Sequence, residues 1–191
     1  MKSKQILVDV DDTLLLFADT LQQFIGDEYG LYSDKRLKDH HNIQKLFGVD
    51  MPTLLELVEK IHRSKLMENV PAMECASVVL PELRREGFKF VAITACLNDK
   101  ETLRMRRKNL EDVFGFDWDD IHCVGMVNSK KDALKLYEPS FWVDDLYHHA
   151  EAGFECGHKS FLIDKPYNQD NNHPEITRVK NWYDIAEIIK K

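Results

Sequence analysis

The stretch ILVDVDDTLLLF, from Ile6 to Phe17, runs from apolar residues directly into a cluster of acids. Asp9, Asp11 and Asp12 lie within four positions, and like charges so close together raise one another's pKa and cost stability. Folding alone does not account for such a cluster. A bound metal ion, or chemistry at an electron-poor atom, would account for it.

The composition is typical of a water-soluble globular protein. The chain has 191 residues, 43% of them hydrophobic and 31% charged, which is enough for one well-packed domain with a small appendage. No segment approaches the ~18 uninterrupted apolar residues of a membrane span. Asp9 also interrupts the start of the chain before a signal-peptide core could form. We therefore expect a cytoplasmic protein with no membrane partner.

The charge and the cysteines exclude two other classes of protein. A net charge of −7 argues against binding of long nucleic acid, for which a basic face supplies most of the affinity. It leaves room for a small phosphorylated ligand held by local cations. The four cysteines are scattered without metal-ligand spacing, so we expect reduced and mostly buried thiols at Cys75, Cys96, Cys123 and Cys156.

Strand and helix patterns alternate along most of the chain. Short apolar segments typical of strands buried on both faces of a parallel sheet are Gln5–Val10, Phe88–Thr94, Ile121–Met126, Phe141–Asp144 and Ser160–Ile163. Helical patterns cover Ala72–Glu86, with Pro81 as a kink or a late start, and Lys100–Phe114, Lys130–Tyr137 and Asn181–Lys190. This order predicts an α/β fold with a doubly wound parallel sheet of about five strands.

One long segment interrupts the alternation, and we call residues 15–70 the helical insertion. A helix beginning near Phe17 is expected to end at Gly30, and Thr53-x-x-Glu56 reads as a capping box that opens another helix. We expect this insertion to form a cap over the end of the first strand. The α/β core would then comprise residues 1–14 and 71–191.

Polar residues follow several of the predicted strands, and the carboxyl ends of parallel strands form the ligand-binding edge of such a sheet. The groups expected at this edge are Asp9 and Asp11 after the first strand, Thr94 and Ala95 at the second, Ser129 and Lys130 after the third, and Asp144 and Asp145 at the fourth. Segments far apart in sequence would thus bring carboxylates, a hydroxyl and an ammonium together.

Phosphoryl transfer through an enzyme carboxylate requires this set of groups. A carboxylate can form an aspartyl-phosphate, and Mg²⁺, which prefers carboxylate oxygens, offsets its repulsion from the phosphate. Asp9 and Asp144 can supply such oxygens, and Thr94 and Lys130 can hold the phosphate oxygens. Asp11 can protonate the leaving oxygen and later activate water.

These motifs, in this order, resemble those of the haloacid dehalogenase (HAD) superfamily of phosphatases: Asp-x-Asp-x-Thr after an apolar strand, a strand ending in Thr, a downstream Lys, and an apolar residue followed by Asp-Asp. The resemblance implies that Asp9 is the nucleophile and Asp11 the general acid and base, whose main-chain carbonyl also binds Mg²⁺. It further implies phosphate binding by Thr94 and Lys130, a metal site that includes Asp144 and Asp145, and a helical C1 cap in the insertion.

A second resemblance, at the two ends of the chain, is to the 5'(3')-deoxyribonucleotidases. VDVDDTLLLF places Phe17 eight residues after Asp9, where that family carries an aromatic residue that packs on the nucleobase, and FLIDKPYNQ…RVKNW is similar to its C-terminal pattern. The sequence departs from the family where Asp12 and Thr13 replace a frequent Gly-Val. The resemblance implies a nucleoside monophosphate, and in particular a deoxynucleotide, as the substrate.

Several assignments stay open on the sequence alone. Lys131 could replace Lys130, which we favour on helix-start geometry, and Asp145 could replace Asp144 as the direct metal ligand. Phe17 fits a core position as well as a base platform. His40-His41 and His148-His149 suggest solvated surface, because adjacent histidines point to different sides of a helix. The run Arg104–Lys108 suggests an exposed helix face.

Three other functions remain in competition with a deoxynucleotidase. The first is a phosphatase for another small ester, such as a sugar phosphate or phosphoserine. The second is a 3'-phosphatase acting on nucleic-acid ends, which the acidic charge disfavours. The third is a non-catalytic phosphate-binding domain, which would have no use for a general acid at Asp11.

Overall fold

The computed structural model describes residues 4–40 and 42–191, with the side chain of His40 excepted. Its strands are β1 Gln5–Val8, β2 Lys89–Thr94, β3 Asp120–Cys123, β4 Phe141–Asp144, β5 Lys159–Ile163 and β6 Thr177–Val179. They form one parallel sheet in the order β3-β2-β1-β4-β5-β6. The predicted α/β fold is confirmed, with a sixth strand added at the edge.

Helices connect these strands. They are α1 Phe17–Tyr29, α2 Leu37–His40, α3 Ile43–Phe47, α4 Met51–His62, α5 Glu74–Arg85, α6 Lys100–Phe114, α7 Lys131–Leu134, α8 Tyr147–Glu155 and α9 Trp182–Lys190, with short 3₁₀ turns at Lys65–Glu68 and Pro166–Asn168. Gly30 ends α1 in the left-handed conformation, as predicted. Neither α8 nor β6 was predicted from the sequence.

The alternation of side chains along the strands explains why helices cover both faces of the sheet. Ile6 and Val8 of β1 pack into a large apolar cluster that includes Leu80 of α5. Leu7, between them, packs into a second cluster with Leu134 of α7. Because successive side chains of a strand point to opposite faces, the sheet lies between two helical layers and is doubly wound.

Two predicted helix boundaries were wrong. The helix α4 does not begin at a Thr53–Glu56 capping box but at Met51, where the Asp50 carboxylate accepts a hydrogen bond from the Thr53 amide at 3.0 Å. An earlier cap leaves Thr53 inside the first turn. Pro81 is not a late start either, because α5 begins at Glu74 and continues through it to Arg85.

The two ends of the helical insertion meet beside β1. The Leu16 amide donates to the Pro71 carbonyl at 2.8 Å, and the Met73 amide donates to the Leu14 carbonyl at the same distance. The segment between these contacts therefore leaves the sheet and returns to it at one point. The His40-His41 prediction lies outside the described residues. Within the described residues, no helix is both long and apolar enough to cross a membrane.

Candidate active site

Asp9 follows β1 directly, and its amide donates to the Val143 carbonyl of the neighbouring β4 at 2.9 Å. This bond fixes the start of the loop that carries the acidic cluster. β1 ends at Val8 and not at the predicted Val10, because the Leu14 and Leu15 amides turn back to the Val10 carbonyl. Asp9 therefore emerges at the carboxyl edge of the sheet.

Lys130 lies between two of the predicted acidic residues. Its ammonium is 2.6 Å from Asp9 Oδ1 and 2.8 Å from Asp144 Oδ2, and its side chain is only 1% exposed. Lys131, the alternative, instead pairs with Glu155, and its side chain is 43% exposed. Of the two lysines, Lys130 is thus the one that contacts the acidic cluster. The helix that follows Lys130, α7, begins one residue later than predicted and is only four residues long.

Asp145 is held by groups that the sequence did not indicate. The Thr13 hydroxyl donates to its Oδ1 at 3.0 Å, and the Tyr167 hydroxyl lies against its Oδ2. The side-chain nitrogen of Asn168, Nδ2, donates to the main-chain carbonyl of Asp145 at 2.8 Å. Thr13 belongs to the first motif, but Tyr167 and Asn168 lie after β5, and no local pattern connects them to it. Asp144, in contrast, accepts from Lys130 and from the Leu146 amide.

The carboxylates around Lys130 carry more negative charge than this one lysine can balance. Burial is the largest cause of the raised pKa of Asp9, and the neighbouring carboxylates add to it despite the lowering effect of Lys130. Burial likewise raises the pKa of Asp144 to about 6. The pKa of Lys130 is also raised, because Asp144 and Asp9 outweigh the effect of its burial. The lysine is therefore firmly charged, while the carboxylates exceed it in number.

A divalent cation fits this set of groups. Oxygens of Asp9, Asp144 and Asp145 lie within 4.8 Å of one another. If all three are ionised, Lys130 balances one charge and leaves two uncompensated. Oxygen donors carrying this net charge suit Mg²⁺, a hard cation that prefers carboxylates and retains water ligands.

Of the two site residues predicted at the end of β2, only one reaches the cavity described below. Thr94 ends β2 and is fully buried, and its hydroxyl oxygen has no hydrogen-bond partner among the described residues. Ala95, the next residue, lines the cavity, whereas Thr94 does not. An unpartnered buried hydroxyl is costly, so the site has a hydroxyl still able to bond an added oxygen.

Asp11 is paired with an arginine that the sequence suggested was exposed. Nη2 of Arg106 donates to Oδ1 of Asp11 at 2.6 Å and to Oδ2 at 2.5 Å. Within Arg104–Lys108, Arg104 and Lys108 are exposed as predicted, but the prediction was wrong for Arg106, whose side chain is 0% exposed. The available signal was helical periodicity, since Met105 and Leu110 lie on the same buried face of α6.

Asp12 adopts an uncommon backbone conformation. Its φ is +57°, in the left-handed region that favours glycine, and Asp is one of the few other residues that tolerate it. Its carboxylate accepts from the Ala18 amide at 3.0 Å, in the first turn of α1. The turn therefore directs the chain from the acidic loop into the insertion.

Six of the eight predicted site residues line one cavity of about 620 Å³: Asp9, Asp11, Phe17, Ala95, Lys130 and Asp145. Asp144 is 0% exposed and lies beneath Lys130. The opposite wall comes from the insertion and is largely apolar, consisting of Leu21, Ile43, Leu54, Leu55 and Val58. The cavity therefore joins a charged floor to a wall suited to an apolar or planar group.

Phe17 lies in this wall beside His62, the last residue of α4. The two rings stack with centroids 5.5 Å apart and an angle of 17° between their planes. His62 is 1% exposed, and its Nδ1 donates to the Val58 carbonyl at 2.8 Å, which leaves Nε2 as an acceptor without a partner among the described residues. Sequence reasoning did not single out His62.

The prediction of solvated surface for the second histidine pair was right for His148 and wrong for His149. The His148 and His149 rings contact each other, with centroids 4.0 Å apart, and do not point to different sides. His148 is exposed but His149 is buried, and both line the cavity.

A larger cavity, of about 930 Å³, adjoins this one between the start of α6 and α7, and the two share Asn128 and Ser129. Its charged residues, which include Asp99, Lys100 and Asp132, are partly or fully exposed. It contains none of the buried carboxylates. Chemistry favours the smaller cavity as the active site, since perturbed and buried ionisable groups gather there.

Comparison with known proteins supports the fold and leaves the activity open. No protein-family model matches the chain. A curated relative is 27% identical over an alignment of 195 positions that covers 94% of this chain and 67% of the relative: an uncharacterized 32.4 kDa protein from the Gp30-rIII intergenic region of Enterobacteria phage T4.

Solved structures with the same architecture are HAD hydrolases. A haloacid dehalogenase-like hydrolase from Streptococcus pneumoniae is 16% identical, with a TM-score of 0.66 and coverage of 97% of this chain and 98% of its own. CbbY from Rhodobacter sphaeroides, solved in complex with phosphate, is 13% identical, with a TM-score of 0.64 and coverage of 96% of both chains. The chain therefore has the fold of the HAD-superfamily hydrolases.

Proposed function

We propose that this chain is a Mg²⁺-dependent phosphomonoesterase that works through an aspartyl-phosphate on Asp9. One observation carries the proposal: Lys130 bridges Asp9 and Asp144 at the floor of a cavity that also exposes Asp11. A buried ammonium beside a candidate nucleophile is suited to hold the oxygens of a transferring phosphoryl group. A non-catalytic phosphate-binding domain would need the ammonium of Lys130, but it would need neither a nucleophile at Asp9 nor a general acid at Asp11.

The reaction balances with the residues present. An Asp9 carboxylate oxygen attacks phosphorus, the bond from phosphorus to the ester oxygen breaks, and that oxygen takes a proton from Asp11. Water then attacks the phosphorus of the aspartyl-phosphate, and Asp11 accepts its proton as inorganic phosphate leaves. Mg²⁺ held by Asp9, Asp144 and Asp145 would offset the repulsion between carboxylate and phosphate.

Thr94 and Ala95 would complete the phosphate site. The Thr94 hydroxyl, buried and without a partner among the described residues, would donate to a phosphate oxygen. Ala95 brings the main chain after β2 to the cavity wall. We propose Asp145 as a metal ligand oriented by Thr13 and Tyr167, and Asp144 as the ligand that also anchors Lys130.

Within this reaction class we propose a nucleoside monophosphate, best a deoxynucleotide, as the substrate. The apolar wall of the insertion, with Phe17 and His62, gives a planar base an apolar surface on the side opposite the acidic floor. A sugar phosphate has no large apolar face to place there. This assignment also includes a helical cap formed by residues 15–70.

The test is phosphate release from a panel of esters, with Mg²⁺ and with EDTA. The panel holds deoxy- and ribonucleoside 5'- and 3'-monophosphates, sugar phosphates, phosphoserine and a 3'-phosphorylated oligonucleotide. Metal-dependent turnover strongest with deoxynucleotides, and absent from Asp9→Asn, supports the proposal. Turnover confined to another ester would overturn the substrate but keep the reaction. No metal-dependent turnover at all would overturn the enzyme assignment.

A further inference from the structure

Arg106 is a buried cation whose ionic contact reaches the active site from outside the sequence motifs. It lies in α6 with its side chain 0% exposed, and its Nη2 donates to both carboxylate oxygens of Asp11, at 2.6 and 2.5 Å. Asp11 is its one ion-pair partner among the described residues. The Asp11 side chain remains 20% exposed and lines the cavity. One face of this carboxylate is therefore held, while another is open to a substrate.

The burial of Arg106 is costly and only partly compensated. Its Nε and Nη1 have no hydrogen-bond partner among the described residues. Burial would lower the pKa of Arg106, but Asp11, together with Cys96 and Cys123, raises it above its usual value. A buried charge with unpaired donors is a poor means of stabilising a fold. Replacing a buried ion pair with apolar residues often leaves the stability of a protein unchanged. This cost points to a role beyond folding.

The attachment of α6 to the rest of the protein does not depend on this arginine. Met105, Leu110 and Phe114 pack into the main apolar cluster, and Asn109 donates to the Val70 carbonyl at 3.0 Å. The helix is thus fixed on the same face by other contacts. What Arg106 adds is the orientation of one carboxylate.

The guanidinium also contacts the wall of the insertion. Its central carbon lies 5.5 Å from the centroid of the Phe17 ring, within the range of a cation–π contact. Arg106 therefore lies between Asp11 and the surface on which we propose that the substrate's planar group rests. Any substrate group against Phe17 would be placed relative to Asp11 by the same side chain.

We propose that Arg106 is a positioning residue that orients the Asp11 carboxyl group toward the leaving oxygen of the substrate. The inference rests on the proposed phosphomonoesterase function. Contacts from one buried nitrogen to both oxygens hold the carboxyl group in place beside the cavity, and general acid catalysis needs the proton within hydrogen-bond reach of the leaving group. Arg106 itself takes no proton and contacts no reacting atom in this proposal.

The test compares esters with different leaving groups. The nitrophenolate of p-nitrophenyl phosphate departs without being protonated, whereas the alkoxide of a nucleoside monophosphate needs a proton. The value of kcat/KM includes every step up to loss of the leaving group. The difference between the two esters in the loss of kcat/KM therefore reports the contribution of the general acid. We expect Arg106→Met to lower kcat/KM for the nucleotide by about 100-fold and for p-nitrophenyl phosphate by less than about 10-fold.

Three further variants make the result specific. Arg106→Lys retains a buried cation, and we expect it to restore part of the loss with the nucleotide. Arg107→Met changes the neighbouring, partly exposed arginine that pairs with Glu111, and we expect it to affect neither ester. Arg106→Met added to Asp11→Asn should cost nothing more, because residues that act as a unit are not additive. Circular dichroism establishes that each variant is folded.

Equal losses with both esters would show a structural role and overturn the inference. An additive double variant would overturn it as well. Wild-type protein that hydrolyses neither ester with Mg²⁺ would overturn the proposed function itself, so the wild-type measurement distinguishes the two failures.

Discussion

The buried ammonium of Lys130 lies 2.6 Å from Oδ1 of Asp9, the residue that we propose as the nucleophile. The same ammonium is 2.8 Å from Asp144, so one cation serves both the proposed nucleophile and a proposed metal ligand. A site arranged in this way is stable only while its cations are in place. Stability measurements can therefore test the site independently of any substrate.

Removal of the Lys130 charge should destabilise the protein strongly. We expect Lys130→Met to lower the free energy of unfolding in EDTA by about 3 kcal/mol, because Asp9 and Asp144 would remain buried without a counter-charge. Lys131→Met removes an exposed ion pair with Glu155 and should leave the stability close to that of the wild type. Urea unfolding measures both. Equal effects of the two variants would contradict the assignment of Lys130.

Mg²⁺ should stabilise the folded chain. A free concentration 100 times the dissociation constant corresponds to about 2.7 kcal/mol, which is seen as a rise in Tm relative to EDTA. Asp144→Asn should abolish the rise, whereas Asp117→Asn, an exposed acid away from the site, should retain it. If Asp144→Asn responds to Mg²⁺ as the wild type does, the cation does not bind at the Asp9 cluster.

Protonation of His62 should reduce the stability of the folded protein in acid, while the raised pKa values of Asp9, Asp12 and Asp144 act in the opposite direction. Burial is the main cause that lowers the pKa of His62 to about 4, with Arg106 acting in the same direction and Asp11 and Asp99 opposing it. The neutral ring is thus favoured in the folded state. The stability that His62 contributes is therefore fully present above its ordinary pKa of about 6.5, and it declines as pH falls from there toward about 4.

The decline assigned to His62 should reach about 2 kcal/mol between pH 7 and pH 5. We expect the difference in unfolding free energy between the wild type and His62→Gln, which does not titrate, to change by this amount across the window. His148→Gln, at an exposed position, should show no such change relative to the wild type. A difference between wild type and His62→Gln that stays constant from pH 7 to pH 5 would contradict the role of His62.

The backbone at Asp12 can be tested with a matched pair of variants. Asp12→Ala and Asp12→Gly both lose the hydrogen bond from the Ala18 amide, so their difference isolates the positive φ of +57°. We expect the alanine variant to be less stable than the glycine variant by about 1 kcal/mol, because only glycine adopts this conformation without strain. Thermal unfolding measures the difference. Equal stabilities would mean that the turn changes conformation.

The parts of the fold that the sequence predicted well have strong local signals. The bounds of β4 and α6 agree with the prediction, since Phe141–Asp144 is an apolar run ending in an acid and Lys100–Phe114 follows a capping aspartate, Asp99. The strand β6 was missed because Thr177–Val179 has three residues and includes an exposed arginine. Its pairing with β5 depends on tertiary contacts that a short segment does not reveal.

The candidate site likewise contains residues that the sequence predicted and residues that it did not. Motifs predicted that Asp9, Lys130 and Asp145 line one cavity, because each follows a strand of one parallel sheet. Arg106 and Tyr167 were not predicted, since each contacts its carboxylate across a long sequence separation and no local pattern encodes such a pair. A basic run is usually exposed, and only the register of α6 turns Arg106 inward.

The most direct test of the account is whether Asp9 carries the phosphoryl group. The Asp11→Asn variant would be mixed with Mg²⁺ and ³²P-labelled p-nitrophenyl phosphate, whose leaving group departs without a proton, then quenched in acid and digested for peptide mapping. The account predicts label on the peptide that contains Asp9, released by hydroxylamine and absent when Asp9→Asn is added. Label on another residue would contradict it, and so would an Asp9→Asn variant that hydrolyses substrate as fast as the wild type.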